Sequence, residues 1–234
     1  MPSRSSRVPA RTKPVRVSLA DGVYDIILSR LIDGEVSAGA PLNIDELARD
    51  LAVSQTPIRE ALARLESTGL VTRAALRGYR VAPLFTDQEL ADLMDARAVV
   101  EPATARFAAG RTTPEFLAEL AATITELEAF AESGRDTEVH RYWESDAHFH
   151  NLIAEQSENR FLQTAYESLG GHVQRFRLFG ALGATDAAFA AREHRDILEA
   201  LQRGDAQAAQ QRMTEHIESV KSRAHHDREA IDTH

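Results

Sequence analysis

The residues with the clearest potential for chemistry are an aspartate and two histidines within five positions, Asp146-Ala147-His148-Phe149-His150. Three uses are open for them: a catalytic metal centre, a metal centre that senses a ligand, or a polar helix face that is rich in histidine. Asp146 and His150 are four positions apart, so on a helix they share one face at about 6 Å, a spacing that suits one ion. His148 points roughly 200° away from Asp146 around the helix, and we expect it at the surface or behind the ligands.

Two further histidines are placed symmetrically about a predicted turn at residues 203–205. In an antiparallel helical hairpin, His194 and His216 would each lie about 15 Å from that turn and face each other. Each stands beside an apolar stripe, where a single histidine is more often a core residue than a ligand. Together with Asp146 and His150 they predict a four-residue metal site built from three helices. Such a set suits Zn²⁺, Ni²⁺, Mn²⁺ or Fe²⁺, and the ligand types do not choose between these divalent ions.

The sequence gives no support for a catalytic metal. A hydrolytic site needs a general base beside the metal-bound water, and the chain has neither an H-E-x-x-H motif nor the E-x-x-H pairs of di-iron bundles. Glu193 adjoins His194 in the chain but lies about 100° around the helix from it. We therefore predict a non-catalytic metal and a protein that is not an enzyme.

An arginine in an apolar stripe suggests a use for the metal. Arg97 stands between Met94 and Val100, and a buried unpaired charge is very costly, so it needs a carboxylate partner. That partner is either Glu101, four residues on, or the carboxylate of a bound ligand held between the guanidinium and the metal. Arg175 is a weaker candidate for the same effector pocket.

Composition narrows the class of protein. The 234-residue chain has a net charge of −9 and no cysteine, which excludes disulfides and thiolate metal sites. No apolar run approaches the ~20 residues of a membrane span, and the N-terminus is not a secretory signal. We therefore expect a cytoplasmic protein without membrane contact. Residues 1–82 carry 12 Lys and Arg against 9 Asp and Glu, whereas the remainder is strongly acidic, so the two parts should meet different partners.

Helix and turn signals divide the chain. The first part has a helix after Ser18, a short helix capped by Asn43, a third helix capped by Ser54, and two strands around a turn near Arg77-Gly78. These elements make a winged helix-turn-helix. Breaks after residue 110 then cut the remainder into six helices, so the fold class is mostly α with a C-terminal six-helix antiparallel bundle. The predicted divisions are a disordered basic arm (1–17), the winged helix-turn-helix domain (18–82), a linker (83–88), an all-helical domain (89–228) and a tail (229–234).

The third helix has the character of a DNA recognition helix. Gln55, Thr56 and Arg59 point away from its apolar stripe, and such side chains near a helix N-terminus can reach base edges. Glutamine can read adenine and arginine can read guanine or grip phosphate.

The stretch from Ile32 to Val81 resembles the DNA-binding domain of GntR-family bacterial transcription regulators, through its "ELA…L.VS.TP.REAL.RLE..GLV" core and wing glycine. The helical remainder resembles the FCD domain of the FadR-like branch, and "D..FH", "EHR.ILEA" and "M..HI" match its metal-binding pattern. The resemblance implies a homodimeric, effector-controlled regulator, usually a repressor, that binds a palindromic operator. It also implies DNA contacts at Gln55, Thr56, Arg59, Arg77 and Gly78. Many relatives have Arg at position 55, and some have Arg at position 45 where this chain has Asp45.

The leading hypothesis is a transcription regulator with a metal-assisted pocket for a small organic acid, such as a sugar acid or a dicarboxylate. Two alternatives remain: a regulator whose metal is purely structural and has no effector, and a metal-dependent enzyme with an appended DNA-binding head.

Overall fold

The computed structural model describes residues 18–32, 34–74, 78–133, 139–179 and 186–232. The predicted basic arm at residues 1–17 lies outside this part of the chain. In the N-terminal part, three helices pack with a small sheet, which confirms the winged helix-turn-helix. The elements are α1 (Leu19–Ile32), β1 (Pro41–Leu42), α2 (Ile44–Asp50), α3 (Gln55–Ser67), β2 (Val71–Ala74) and β3 (Gly78–Val81).

The sequence accounts for the helix-turn-helix locally. The Asn43 side chain accepts hydrogen bonds from the backbone N–H groups of Asp45 and Glu46, and so satisfies donors at the start of α2 that have no partner in the helix. The α3 stripe of Ile58, Leu62 and Leu65 is fully buried in one core with α1. This packing leaves the opposite, polar side of α3 exposed.

The wing contains one strand more than predicted. The sheet has the order β1-β3-β2, and both pairs are antiparallel. Strand β1 has only two residues, Pro41 and Leu42, which is too short to give an alternating sequence pattern. Beside it, Val81 exchanges backbone hydrogen bonds with Gly39 and Ala40.

Six helices follow in the described part of the C-terminal region, as predicted. They are α4 (Asp87–Ala109), α5 (Pro114–Ser133), α6 (Val139–Gln156), α7 (Arg160–Phe179), α8 (Ala187–Gln202) and α9 (Ala206–Asp232). A capping box between Thr86 and Glu89 begins α4. This helix packs against α6, α7, α8 and α9 and is therefore the centre of the bundle. None of the helices in the described ranges is long and apolar enough to cross a membrane.

Helix α7 also contacts the DNA-binding domain. A Cβ atom on Gly171 would lie 1.6 Å from the backbone oxygen of Thr68, at the end of α3, so only glycine fits at this crossing. One turn further on, Arg175 donates from Nε and Nη2 to the carbonyl of Pro83, at 2.9 and 2.6 Å. The helix thus joins the bundle to the end of the DNA-binding domain.

Candidate functional site

Three buried histidines from three helices meet at the centre of the bundle. His150 of α6, His194 of α8 and His216 of α9 are at most 2% exposed, and one ligand atom of each lies within 4.8 Å of the others. The rings of His194 and His216 are 4.8 Å apart between centroids, as their symmetric spacing about the α8–α9 turn predicts. The cluster could hold a metal ion, which would draw the ligand atoms inward toward the roughly 3.4 Å separation of a tetrahedral site.

Asp146 adjoins this cluster on α6. Its Oδ1 atom lies 3.4 Å from Nε2 of His194 and 4.0 Å from Nε2 of His150. Phe149 is fully buried and stacks on the His194 ring at 3.8 Å between centroids, which fixes the orientation of that ring. The stretch from Asp146 to His150 therefore supplies two candidate ligands and the apolar side chain that positions a third.

Glu193 orients His216, a contact that the position of Glu193 beside His194 in the sequence does not indicate. The Nδ1 atom of His216 is 2.8 Å from Oε2 of Glu193. Burial works to raise the pKa of Glu193, but hydrogen bonds from His216 and Arg223 bring it down to about 2. Burial also lowers the pKa of His216 to about 4, so its ring is neutral at pH 7. Since an ionised Glu193 can only accept, the proton of His216 lies on Nδ1, and the Nε2 lone pair remains for a metal.

Glu101 takes the corresponding position beside His150. Its Oε2 atom is 2.7 Å from Nδ1 of His150, and its Oε1 atom accepts from Nε of Arg97 at 2.6 Å. Burial opposes charge on Glu101, but Arg97 and His150 outweigh it and lower the pKa of this carboxyl below its ordinary value. Nε2 of His150 is buried and makes no hydrogen bond within the described residues, so its lone pair is available to a metal ion.

The charges around the cluster favour a divalent cation. Arg97 balances Glu101, and Arg223 contacts both Glu193 and Asp186. When Asp146 is included, two arginines therefore face four carboxylates, an excess of two acidic side chains. Burying such an excess is costly, and one divalent ion would offset it. The residues present thus fit the predicted metal.

A small cavity opens beside the cluster. It encloses about 20 Å³, room for about one water molecule. Three aromatic side chains, an arginine and several acidic or imidazole groups share its wall: Arg97, Tyr142, Trp143, Asp146, Phe176, Asp186, Ala190, His216 and Val220. The indole Nε1 of Trp143 is buried and has no hydrogen-bond partner in the described part of the chain. The cavity therefore combines the guanidinium of Arg97, the indole N–H of Trp143 and two of the candidate metal ligands, Asp146 and His216.

The two predicted effector residues occupy different surroundings. Arg97 lines the cavity and is paired with Glu101, the intramolecular partner that the sequence offered. Within the described residues, the Nη1 atom of Arg97 has one hydrogen-bond partner, the sulfur of Met94 at 3.8 Å. A thioether sulfur is a weak acceptor. Arg175 instead stacks over Phe85 at 3.8 Å and bonds to Pro83, outside the residues that line the cavity. His148 is exposed, 3.6 Å from Glu119, as expected.

The predicted DNA-reading residues lie on the exposed side of the helix-turn-helix. Gln55, Thr56 and Arg59 are all exposed in the first turns of α3. The amide of Gln55 donates to Asp45 of α2 at 2.5 Å, and its carbonyl accepts from Nη2 of Arg59 at 3.2 Å. Asp45 is not among the predicted DNA contacts, and its contact with Gln55 across α2 and α3 has no periodic signal in the sequence.

The wing begins with a glycine in a left-handed conformation. Gly78 is exposed at the start of β3 and has a φ of +79°, a backbone conformation that residues with a side chain rarely adopt. Arg77, the adjacent predicted contact, lies outside the described residues.

Family comparisons match both parts of the chain. Residues 19–81 match the family model "Bacterial regulatory proteins, gntR family", and residues 92–219 match the FCD domain model. The second match alone covers more than half of the chain.

Curated relatives match along almost the whole length. A probable D-xylose utilization operon transcriptional repressor of Paenarthrobacter nicotinovorans is 29% identical over 219 residues, which are 93% of each chain. The transcriptional repressor RspR of Escherichia coli K12 is 26% identical over 198 residues, or 85% of each chain.

Solved structures show the same fold. McbR/YncC of E. coli superposes with a TM-score of 0.74 at 24% identity, over 90% of this chain and 98% of that one. A putative GntR regulator from Rhodococcus sp. RHA1 gives 0.70 at 22% identity, over 88% and 96%. The helix-turn-helix lies in the part of the chain that matches the first family model, and the histidine cluster lies in the part that matches the second. The chain is therefore a member of the GntR family of bacterial transcription regulators, with the C-terminal FCD domain of its FadR-like branch.

Proposed function

We propose that this regulator binds a palindromic operator through α3 and the wing, and that a small carboxylate changes its affinity for that DNA. The carboxylate would bind in the cavity beside a divalent metal held by Asp146, His150, His194 and His216. Such a protein acts on the chromosome, in the cytoplasm. Because two relatives are named as repressors, we propose repression as the action on transcription.

One observation carries the effector proposal: a single cavity wall contains Arg97 together with His216 and Asp146 of the metal cluster. When bound, a divalent ion supplies a Lewis-acidic position for an anionic oxygen. Arg97 can exchange its weak Met94 contact for a charge-assisted hydrogen bond to the same anion. The Trp143 N–H would donate to another acceptor on the ligand. The 20 Å³ cavity must widen to admit anything larger than water.

The cavity favours one carboxylate over two. Its wall also contains Asp186, which accepts from the Tyr142 hydroxyl at 3.4 Å. Burial raises the pKa of Asp186, so these surroundings already disfavour negative charge, and a second carboxylate would be disfavoured there for the same reason. A ligand hydroxyl could instead donate to Asp186 and accept from Trp143. We therefore propose a hydroxylated monocarboxylate, such as a sugar acid, rather than a dicarboxylate.

Thermal unfolding with matched acids tests this effector class. Gluconate and glucarate form one pair of equal length, and lactate and tartronate form a smaller pair in which both acids keep the 2-hydroxyl group. We expect a monocarboxylate to stabilise the Zn²⁺-loaded protein by about 2.7 kcal/mol at 100 times its dissociation constant. The metal-stripped protein should not respond, and the matching dicarboxylate should have a smaller effect. A stabilisation by Zn²⁺ that none of the acids increases would contradict the effector and leave a purely structural metal.

Helix α7 offers a route from the cavity to DNA. Phe176 lines the cavity, and five residues earlier Gly171 contacts Thr68 at the end of α3. A ligand that displaces Phe176 would shift α7 and thereby the recognition helix. Coupling between two such sites is typically 1–3 kcal/mol.

We also propose that two copies pair through an exposed apolar surface on α4 and α7. Val99 and Phe161 are 74% and 76% exposed, and Phe107 lies two turns beyond Val99 on α4. Arg111 connects these positions, since it stacks on Phe107 and pairs with Glu158 in the turn before α7. A second copy is the fitting partner because helix-turn-helix proteins read palindromes as symmetric dimers.

Sedimentation tests this dimer surface. Val99→Glu and Phe161→Glu should convert a dimer into a monomer, because each places two charges at a symmetric interface. Leu19→Glu, at an apolar residue that is 62% exposed in the DNA-binding domain, is the matched control and should remain dimeric. A Val99→Glu protein with unchanged mass in solution would contradict this surface.

A further inference from the structure

Asp45 and the recognition helix are joined by a chain of three exposed side chains. Asp45 Oδ1 accepts from Nε2 of Gln55 at 2.5 Å, and Gln55 Oε1 accepts from Nη2 of Arg59 at 3.2 Å. Both ends of the Gln55 amide are therefore engaged, the nitrogen toward α2 and the oxygen toward the next turn of α3. Because the carboxylate can only accept and the guanidinium can only donate, a flipped amide would lose both hydrogen bonds.

We infer that Asp45 is a positioning residue for base recognition, which holds the Gln55 amide in the one orientation that reads adenine. The inference rests on the proposed contact between Gln55 and DNA. Bidentate reading of adenine needs one amide N–H for N7 and the amide oxygen for the N6 amino group. The anchored amide keeps its second N–H hydrogen and its second oxygen lone pair for these two partners. Its orientation is set before DNA arrives, so less side-chain freedom is lost on binding.

The effect of Asp45 on specificity can be separated from its effect on general affinity for DNA. A carboxylate near the DNA surface repels phosphates at every sequence alike, so removing it raises affinity uniformly. The loss of a fixed Gln55 orientation, in contrast, affects one base pair. Glu46 provides the matched control, because it is the next residue of α2, is exposed and carries the same charge. Its backbone N–H donates to Asn43, and within the described residues its side chain takes part in no hydrogen bond or ion pair.

Selection from a randomised duplex library, with the full-length protein, identifies the bound sequence. The base pair at which Gln55→Ala loses its preference is the one that Gln55 reads. Binding is then measured on the four duplexes that differ only there. The wild-type protein should prefer adenine about tenfold, and Asp45→Ala should reduce this to threefold or less. Asp45→Asn, which can still accept from Gln55, and Glu46→Gln should keep the preference.

The outcomes separate this inference from the proposed DNA contact. If Gln55→Ala changes the preference at no base pair, the proposed role of Gln55 is wrong and the inference falls with it. If Gln55→Ala loses the preference but Asp45→Ala keeps it, or sharpens it, Asp45 does not position the amide and only the inference is overturned. All four variants change exposed side chains, and unchanged melting temperatures would exclude misfolding as the cause.

Discussion

Replacing Arg97 by methionine is expected to lower the free energy of unfolding of the helical bundle by about 3–5 kcal/mol. Arg97 and Glu101 are both buried, and their side chains form an ion pair at 2.6 Å at the centre of α4. The substitution leaves Glu101 as a buried charge without its counter-ion, beside His150. Urea unfolding in the presence of a chelator, followed by helical circular dichroism, measures the loss.

The double variant Arg97→Met/Glu101→Gln separates the structural role of Arg97 from its proposed role in binding. It has no buried charge at either position, and the glutamine can still accept from His150. Its stability should therefore return to within about 1–2 kcal/mol of the wild-type value, since charge-free replacements of buried pairs are often tolerated. Glu101→Gln alone, at a Zn²⁺ concentration that saturates both proteins, is the control for the contact with His150. A recovered fold that binds Zn²⁺ but does not respond to carboxylates, beside a responsive Glu101→Gln protein, would assign Arg97 to the effector. If the single variant lost less than about 1 kcal/mol, the account of Arg97 as a buried, paired charge would be wrong.

Replacing His194 by alanine is expected to abolish tight Zn²⁺ binding. His194 is fully buried, and its ring faces both Asp146 and His216. Glu193→Gln should weaken binding by about 10–100-fold, the usual cost when a group that orients a metal-bound histidine is changed. Competition with a chromophoric chelator gives both affinities.

His148→Ala is the control for this series. His148 is exposed on the same helix as His150, close to Glu119 rather than to the cluster, so its loss should leave Zn²⁺ affinity unchanged. Equal affinities of the wild-type and His194→Ala proteins would exclude the cluster as the metal site.

The sequence predicted those parts of the fold that depend on a single helix or on two helices joined by a short turn. Glycine, proline and capping residues separated the helices, and the symmetry of His194 and His216 about one short turn brought the two rings together. Both inferences need only the geometry of a helix or a hairpin.

The contacts that the sequence did not reveal join different elements. Glu193 and His194 are adjacent on α8 and therefore point about 100° apart around that helix. The side chain of Glu193 instead contacts His216 on the neighbouring helix α9. Asp45 reaches Gln55 across the turn of the DNA-binding motif. Such pairs depend on how two helices pack, which the periodicity of either helix does not specify. For Arg97 the sequence offered two partners, Glu101 and a ligand carboxylate, and the structure shows the contact with Glu101.

Control of DNA binding by the metal and the carboxylate is measured as the affinity of the protein for its selected DNA duplex at one fixed salt concentration. It is measured for Zn²⁺-loaded and metal-stripped protein, with and without the most stabilising carboxylate of the thermal series. A coupling of about 1–3 kcal/mol predicts that the carboxylate changes the dissociation constant by about 5–150-fold, in the metal-loaded protein alone. An unchanged dissociation constant at saturating carboxylate, or an equal change without metal, would contradict a metal-assisted, effector-controlled regulator.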